Sequence, residues 1–128
     1  MKKLLTLLAT AALAVTASAG EYPDISVSEL KSAIASKKAT VIDVNGSQSY
    51  KQGHIPTAVD FSAKKAELAK VLPPEKDALV VAYCGGPSCG AYAAAAKAAK
   101  ELGYTNVKHL SAGISGWKEA GEKLEKAQ

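Results

Sequence analysis

Residues 78–102 read ALVVAYCGGPSCGAYAAAAKAAKEL, which is an apolar run, a loop of small residues and an alanine-rich run in direct succession. The run at 78–83 is apolar at almost every position, which is typical of a strand buried on both faces of a parallel sheet. The run at 91–102 is rich in alanine, a strong helix former, and Gly103 follows it as a stop signal. The stretch therefore predicts a strand, a tight loop and a helix.

The same alternation of strand and helix signals continues in both directions along the chain. It indicates an α/β fold with a small, open, mainly parallel sheet that is flanked by helices on both faces. Only the tail after Gly121 is expected to fray. The further strands are predicted at 25–27, 39–44, 58–61 and 106–110, and the further helices after an N-cap at Ser28 and at 47–52, 63–72 and 114–120.

The first 19 residues have the pattern of a secretory signal peptide. Lys2 and Lys3 precede an apolar run, which ends in Ala17-Ser18-Ala19. We predict cleavage after Ala19, which leaves residues 20–128 as one domain in the periplasm or outside the cell. The apolar run is shorter than the roughly 20 residues that a membrane span needs, so no membrane anchor is expected after processing.

The charge pattern does not favour a nucleic acid as partner. The net charge of the 128 residues is only +4, and the lysines are scattered along the chain. The sequence contains no arginine. Any anion-binding site must therefore use lysine, backbone N–H groups or a helix N-terminus, because no guanidinium is available.

Two cysteines, Cys84 and Cys89, enclose the loop of small residues. In an open parallel sheet, ligands bind beyond the carboxyl ends of the strands, where this loop is expected to lie. Its glycines would let successive N–H groups point inward as an anion cradle, although Pro87 removes one donor. The positive N-terminus of the following helix would favour ionisation of a cysteine held there.

A structural disulfide is the plain alternative for a cysteine pair in an exported protein. Closing so short a loop would add little stability, and a domain of this size does not need it. The spacing of Cys84 and Cys89 leaves both interpretations open.

Two longer segments resemble the two halves of rhodanese-like domains, and together they cover nearly all of the predicted mature chain. The first, at 41–61, is VIDVNGSQSYKQGHIPTAVDF, with an Asp-Val strand end, an aromatic residue and Gly-His-Ile-Pro. The second, at 80–121, is VVAYCGGPSCGAYAAAAKAAKELGYTNVKHLSAGISGWKEAG. It contains a cysteine after a strand, Leu-Gly-Tyr, and a Gly-x-x-x-Trp pattern at Gly113 and Trp117.

The resemblance implies a sulfurtransferase in which Cys84 is the nucleophile. Cys84 would take a sulfane sulfur from a small sulfur-containing donor, become a persulfide, and pass the sulfur to a thiol or cyanide-type acceptor without a cofactor. The six-residue loop matches sulfurtransferases, whereas related phosphatase and arsenate-reductase loops are longer and carry an arginine. The backbone of the loop would stabilise the charged sulfur, and its members are Gly85, Gly86, Ser88, Cys89 and Gly90.

Three departures from the family pattern limit this comparison. Many relatives carry arginine where this chain has Asn45, and a basic or hydroxyl residue where it has Cys89. Ala112 replaces the first glycine of a common Gly-Gly pair. With no cationic side chain in the loop, thiosulfate is expected to be a poor donor.

Cys89 requires its own hypothesis. It could resolve a Cys84 persulfide, or it could protect Cys84 from over-oxidation by forming a disulfide. Both roles need an external reductant, for which a redox partner protein is one candidate. The alternatives are a thiol–disulfide redox protein that uses Cys84 and Cys89, and a non-catalytic binding module whose loop is locked by their disulfide.

The remaining candidates are assigned supporting roles. Asp43 ends a buried strand and is expected to anchor a loop through hydrogen bonds, and His54 is a second structural support. The spacing of the two cysteines, His54 and His109 fits no standard zinc motif, so no metal is predicted. Gly90 follows Cys89, which excludes the C-x-x-C-H pattern of covalent haem attachment.

Overall fold

The computed structural model describes residues 22–127, and the predicted signal peptide at 1–19 lies outside them. Four parallel strands form one sheet in the order β2-β1-β3-β4. The strands are β1 (Ala39–Asp43), β2 (Val59–Asp60), β3 (Leu79–Tyr83) and β4 (Val107–His109). The helices are α1 (Val27–Ala35), α2 (Ser47–Gln52), α3 (Phe61–Lys64), α4 (Leu68–Val71), α5 (Tyr92–Glu101) and α6 (Gly113–Glu119), with a 3-10 turn at Lys65–Glu67.

The sheet has a hydrophobic layer on each face, because successive side chains of a strand point to opposite sides. Val80 and Ala82 of β3 join a cluster with α4 and α5, whereas Val81 and Tyr83 join a cluster with α1 and α6. The predicted α/β fold, with a parallel sheet and helices on both faces, is confirmed. The strand predicted at 78–83 corresponds to β3, and the alanine-rich helix predicted at 91–102 corresponds to α5.

The beginning of the fold differs from the prediction. The Ser26 hydroxyl caps α1 by accepting a hydrogen bond from the Glu29 N–H at 3.0 Å, so the helix begins at Val27. The predicted strand at 25–27 and the predicted N-cap at Ser28 are therefore wrong. Ser26 has the same capping chemistry as Ser28, and the alternation of Ile25 and Val27 on either side of the cap imitated a strand.

The segment between β2 and β3 is the second difference. The predicted helix at 63–72 is divided into α3, a 3-10 turn and α4. The Asp60 side chain accepts a hydrogen bond from the Ser62 N–H at 3.1 Å, so α3 starts at Phe61 and shortens the predicted strand. Of the residues at 62–71 only Leu68 is buried, so little apolar packing supports a continuous helix.

The tail is the third difference, because it is bonded to the domain instead of frayed. His54 and Glu125 form an antiparallel bridge in which each N–H donates to the other's carbonyl oxygen at 2.9 Å. The Trp117 indole N–H donates to the Lys123 carbonyl oxygen at 2.8 Å, and Leu124 packs against the α1 and α6 cluster. These contacts satisfy backbone groups that a frayed tail would leave to water.

A buried hydrogen-bond chain ties the central strands to the segment after α2. The Tyr83 hydroxyl donates to Asp43 Oδ2 at 2.5 Å and accepts from the Ile55 N–H at 3.0 Å. Asp43 Oδ1 accepts from the Asn45 N–H at 2.7 Å. Burial raises the pKa of Asp43 against the opposing effect of the Tyr83 hydrogen bond. Burial and the Asp43 carboxylate both raise the pKa of Tyr83, so the hydroxyl keeps its proton.

We expect Tyr83→Phe to lower the free energy of unfolding by about 2–4 kcal/mol, because it leaves the Asp43 carboxylate and the Ile55 N–H buried without their partner. Tyr104→Phe is the matched control. The Tyr104 hydroxyl donates to the Pro73 carbonyl oxygen, and its loss should cost about 0.5–1.5 kcal/mol. Urea unfolding of the two variants measures the difference. Equal losses would contradict a special role for the Asp43–Tyr83–Ile55 chain.

Candidate functional site

The two cysteines of the loop are brought together. Cys84 follows the last residue of β3 and is 1% exposed, and Cys89 is partly buried three residues before α5. The two residues are joined as a disulfide, with Cα atoms 6.3 Å apart, a separation within the usual range for such bonds. The loop lies at the carboxyl end of β3, as expected for the ligand-binding edge of a parallel sheet.

Most N–H groups of the loop have no acceptor in the described part of the chain. The Cys89 N–H donates to the Gly86 carbonyl oxygen at 3.1 Å and closes a turn over Pro87 and Ser88. The N–H groups of Gly85, Gly86, Ser88 and Gly90 donate to no other group within residues 22–127. The loop therefore offers several backbone donors to an anion, although the Cys89 N–H is already used.

The N-terminus of α6 holds the first half of the loop. The N–H groups of Ile114 and Ser115 donate to the carbonyl oxygens of Cys84 and Gly85, both at 3.0 Å. In a planar trans peptide, the C=O and the N–H point in opposite directions. Fixing these two carbonyl groups on α6 therefore aims the N–H groups of Gly85 and Gly86 away from that helix.

Gly113 makes this contact with α6 sterically feasible. It has φ +63°, and a Cβ built on it would lie 2.6 Å from Gly85 C and Gly86 N and 2.7 Å from the Cys84 carbonyl oxygen. No side chain fits in that space. In the sequence, Gly113 was recognised only as part of a family pattern. Its positive φ and its close approach to the cysteine loop could not be inferred from neighbouring residues.

The two predicted supports, Asp43 and His54, lie outside the cysteine loop. Asp43 belongs to the buried chain through Tyr83 and is fully buried. The His54 ring stacks on Tyr50 with centroids 3.8 Å apart, and its Nδ1 lies 2.8 Å from the Tyr50 carbonyl oxygen. His54 Nε2 is 3.8 Å from a carboxylate oxygen of Glu125. Both side chains therefore interact with groups that support the fold, as predicted from their expected supporting roles.

His109 of β4 is buried on the same side of the sheet as Cys84. Its ring stacks on Tyr92, the first residue of α5, with centroids 3.3 Å apart. Its Nε2 has no hydrogen-bond partner among the described residues. Burial lowers the pKa of His109, and the nearby Asp24 carboxylate opposes that shift.

Between Tyr22 and Ala127 the chain holds no group of three or more histidine, cysteine or acidic residues arranged to bind a metal ion. None of the helices in this part of the chain has the length and apolarity of a membrane span.

Comparison with known families and proteins matches residues 26–120 to the model of the rhodanese-like domain. A helix-turn-helix-type transcriptional regulator of Mycobacterium tuberculosis is 34% identical over 85 residues. That match covers 66% of this chain and 36% of the regulator, so the chain spans about a third of the length of this curated relative.

Solved structures with the same fold include enzymes. A rhodanese-related protein from Thermoplasma volcanium is 27% identical, with a TM-score of 0.61 over 81% of this chain and 98% of that chain. A human single-domain sulfurtransferase is 26% identical, with a TM-score of 0.57 over 76% and 96%. The 3-mercaptopyruvate sulfotransferase SseA of Escherichia coli shares the fold at 20% identity, with a TM-score of 0.66 over 81% of this chain and 50% of that chain.

We expect Gly113→Ala to destabilise the domain more than Gly121→Ala does. Gly121 also has a positive φ, +76°, but nothing lies within 4 Å of its added Cβ. Both variants should lose about 1–2 kcal/mol from the left-handed backbone, and Gly113→Ala about 1–3 kcal/mol more from the clash with the loop. Urea unfolding gives the free energies, and amide chemical shifts of Gly85 and Gly86 report displacement of the loop. Equal effects of the two variants would contradict the contact between α6 and the loop.

We expect His109 to make the domain less stable in acid. Because its pKa is lower in the folded state, the unfolded chain takes up the proton first as the pH falls through 6.5, the ordinary value. His109→Phe keeps a flat ring against Tyr92 but cannot be protonated. The stability difference between His109→Phe and wild type should therefore grow in favour of the variant between pH 7.5 and 5. Urea unfolding across this range measures it, and a constant difference would contradict the shift.

Proposed function

The chain belongs to the rhodanese-like domain family, and from that premise we propose that it is an exported sulfurtransferase in which Cys84 carries the transferred sulfur. The observation that carries the proposal is the position of Cys84 at the carboxyl end of β3, within a loop whose Gly85, Gly86, Ser88 and Gly90 N–H groups have no acceptor in the described chain. The human single-domain sulfurtransferase that shares this fold supports the same reaction class.

The first half of the reaction loads the sulfur. In the reduced protein the Cys84 thiolate attacks the outer sulfur of a donor R–S–SH, the S–S bond of the donor breaks, and R–S⁻ leaves. The product is the Cys84 persulfide. The free N–H groups of the loop and the positive N-terminus of α5 stabilise the thiolate and the charged persulfide, which burial alone would disfavour.

The second half of the reaction transfers the sulfur from Cys84 to an acceptor. A thiolate or cyanide attacks the outer sulfur of the persulfide, the S–S bond to Cys84 breaks, and the Cys84 thiolate is regenerated. Over the two steps the sulfane sulfur passes from donor to acceptor and Cys84 returns to the thiolate, so the cycle consumes no external oxidant or reductant. The chemistry therefore proceeds with two small-molecule partners and needs no cofactor.

Cys89 gives the proposed cycle a redox branch. The Cys89 thiol can attack the inner sulfur of the Cys84 persulfide, which releases hydrogen sulfide and forms the disulfide present in the structure. A thiol reductant or a dithiol partner protein must then supply two electrons to restore both thiols. Cys89 would also react with a sulfenic acid on Cys84 to form the same disulfide, which prevents irreversible oxidation of Cys84.

The disulfide also favours a second candidate function, a thiol–disulfide redox protein. In that case the pair would be reduced and reoxidised readily, and the protein would accept no sulfur. A non-catalytic binding module would instead hold a disulfide that resists reduction in the folded state. The reducibility of the Cys84–Cys89 bond separates these two alternatives.

Export is part of the proposal. Residues 1–19 carry the charged start, apolar run and Ala-Ser-Ala pattern of a cleaved signal, and a disulfide persists more readily in an oxidising compartment. An N-terminal sequence beginning at Gly20 in protein recovered from the periplasm or medium supports export. Recovery of the intact N-terminus in the cytosol contradicts it.

We expect the reduced protein to gain one sulfur atom when it is incubated with polysulfide, and we expect Cys84→Ala to gain none. Cys89→Ser should still gain the sulfur and should keep it longer, because the resolving thiol is absent. Intact-mass spectrometry of the three proteins over time measures both effects. Thiosulfate in place of polysulfide should load the wild type more slowly, because no cationic side chain lies in the loop.

The outcomes separate the hypotheses. Full sulfur uptake by Cys84→Ala would overturn the nucleophile assignment. Loss of uptake in Cys89→Ser would place Cys89 in the loading step itself. A wild type that gains no sulfur but cycles readily between dithiol and disulfide would support the redox protein.

A further inference from the structure

Asn45 and Gly46 lie between β1 and α2, where an asparagine is followed directly by a glycine. Glycine has no Cβ, so no side chain hinders attack of its main-chain nitrogen on the preceding side-chain amide. A Cβ built on Gly46 has nothing within 4 Å, and residues 45–47 are half-buried, so solvent has access to them. The pair is therefore sterically open to a reaction between its own side chain and main chain.

Both reacting groups are also free of hydrogen bonds in the described part of the chain. Neither the Asn45 side-chain amide nor the Gly46 N–H has a partner between Tyr22 and Ala127. The Asn45 side chain lines a polar cavity of about 290 Å³, whose wall includes the charged residue Lys118. Water can therefore reach the amide, and no bond has to break before the two groups meet.

Asn106 is the other asparagine of the sequence, and its surroundings are different. It is followed by Val107, whose β-branched side chain is 2% exposed and belongs to β4. The Val80 N–H donates to the Asn106 carbonyl oxygen at 3.0 Å, which ties this peptide to the sheet. Asn106 is therefore an internal control for a reaction at Asn45.

We propose that Asn45 deamidates spontaneously in the folded protein, with Gly46 as the attacking residue and water as the co-reactant. The Gly46 main-chain nitrogen attacks Asn45 Cγ, the Cγ–Nδ2 bond breaks, and the side-chain nitrogen leaves as ammonia with the Gly46 proton. Water then opens the cyclic imide. Cleavage of its Cγ–N bond gives aspartate, whereas cleavage of the bond to the main-chain carbonyl carbon gives isoaspartate. The reaction exchanges –NH₂ for –OH and needs no oxidant or reductant.

The isoaspartate product changes the backbone between two fixed hydrogen bonds. The Asn45 N–H donates to Asp43 Oδ1 at 2.7 Å, and the Gly46 carbonyl oxygen accepts from the Tyr50 N–H at 2.9 Å. In isoaspartate the main chain runs through Cγ and is longer by one carbon. The two bonds cannot both keep their present geometry, so the isoaspartate form is less stable than the aspartate form, which keeps the chain length.

The aspartate product adds a charge beside the cysteine loop. The Asn45 side-chain oxygen lies 4.0 Å from the Cβ position of Gly85, the residue that follows Cys84. A carboxylate at this position opposes a negative charge on the neighbouring sulfur, since like charges repel across a partly buried site. This part of the inference rests on the proposed function, and it implies that deamidation slows sulfur loading.

Peptide mapping of the aged, folded protein tests the modification. Trypsin releases peptide 39–51 with Asn45 and peptide 101–108 with Asn106, and a fresh sample serves as the zero-time control. Mass spectrometry should show the exchange of –NH₂ for –OH in 39–51, in two isomeric products, and no change in 101–108. The conversion should be faster at mildly alkaline pH, because the attacking nitrogen must lose its proton. Asn45→Gln should abolish it, because a longer side chain would have to form a larger ring.

A synthetic peptide with the sequence of residues 39–51 gives the rate without the fold. Conversion of the peptide while Asn45 stays intact in the folded protein would overturn the proposal, and so would equal conversion of Asn106. Urea unfolding then compares the aged protein with Asn45→Asp, which has the charge and a normal chain length. The aged protein should contain an additional fraction that unfolds at lower urea concentration, and coincident curves would overturn the effect on stability.

Sulfur loading from polysulfide, followed by intact mass, tests the effect of the charge. Asn45→Asp should load about threefold more slowly than the wild type at low salt, and the difference should shrink at high salt. Gln48→Glu adds the same charge at an exposed position of α2 and should load like the wild type, as should Asn45→Gln. Equal rates in Asn45→Asp and Gln48→Glu would overturn the effect on the loop. A wild type that takes up no sulfur would overturn the proposed function, whereas the peptide masses would still decide the modification.

Discussion

The contact between Gly113 and the backbone of Cys84 to Gly86 is the constraint on which the cysteine loop depends. Only a residue without a Cβ lets the N-terminus of α6 approach closely enough for its first N–H groups to bind two consecutive carbonyl oxygens of the loop. Those two bonds orient the peptide planes, and the planes orient the N–H groups on their opposite sides. The electrostatic character of the loop therefore originates in a steric requirement on a different helix.

The loop combines opposing electrostatic effects. Cys84 is buried against the apolar layer of α5, and burial by itself disfavours a charged sulfur. Backbone donors and the positive end of α5 act in the other direction, and they do so without arginine. Beneath the loop, the Asp43–Tyr83–Ile55 chain places a carboxylate in the core at an energetic cost that its hydrogen bonds offset. That chain holds the ends of β1 and β3 in register, and with them the base of the loop.

The elements that could be predicted from sequence are those with a strong local pattern. The apolar run before Cys84 and the alanine-rich run after Cys89 became β3 and α5, because burial on both faces and helix propensity are visible within ten residues. The predictions failed where neighbouring residues offered equivalent signals, as at Ser26 and Ser28. They failed also at 63–72, where only Leu68 and Leu72 contribute buried side chains. The tail was expected to fray because its bonds were not visible in the sequence. His54 is remote from Glu125 in the chain, and no local pattern indicates that the Trp117 indole bonds to Lys123.

Local sequence patterns were enough to predict the fold class, the central strands, the alanine-rich helix and the chemistry available to the loop, which has two cysteines, small residues and no guanidinium. Those properties depend on composition and on periodicities that span one strand or one helix. Three features became visible only in the folded molecule: α6 orients the loop, the tail pairs with His54, and Lys118 and Asn45 line the same cavity. Each of these depends on the packing of segments that are distant in sequence. Their relative positions follow from how the whole core is filled, and no local pattern records that arrangement.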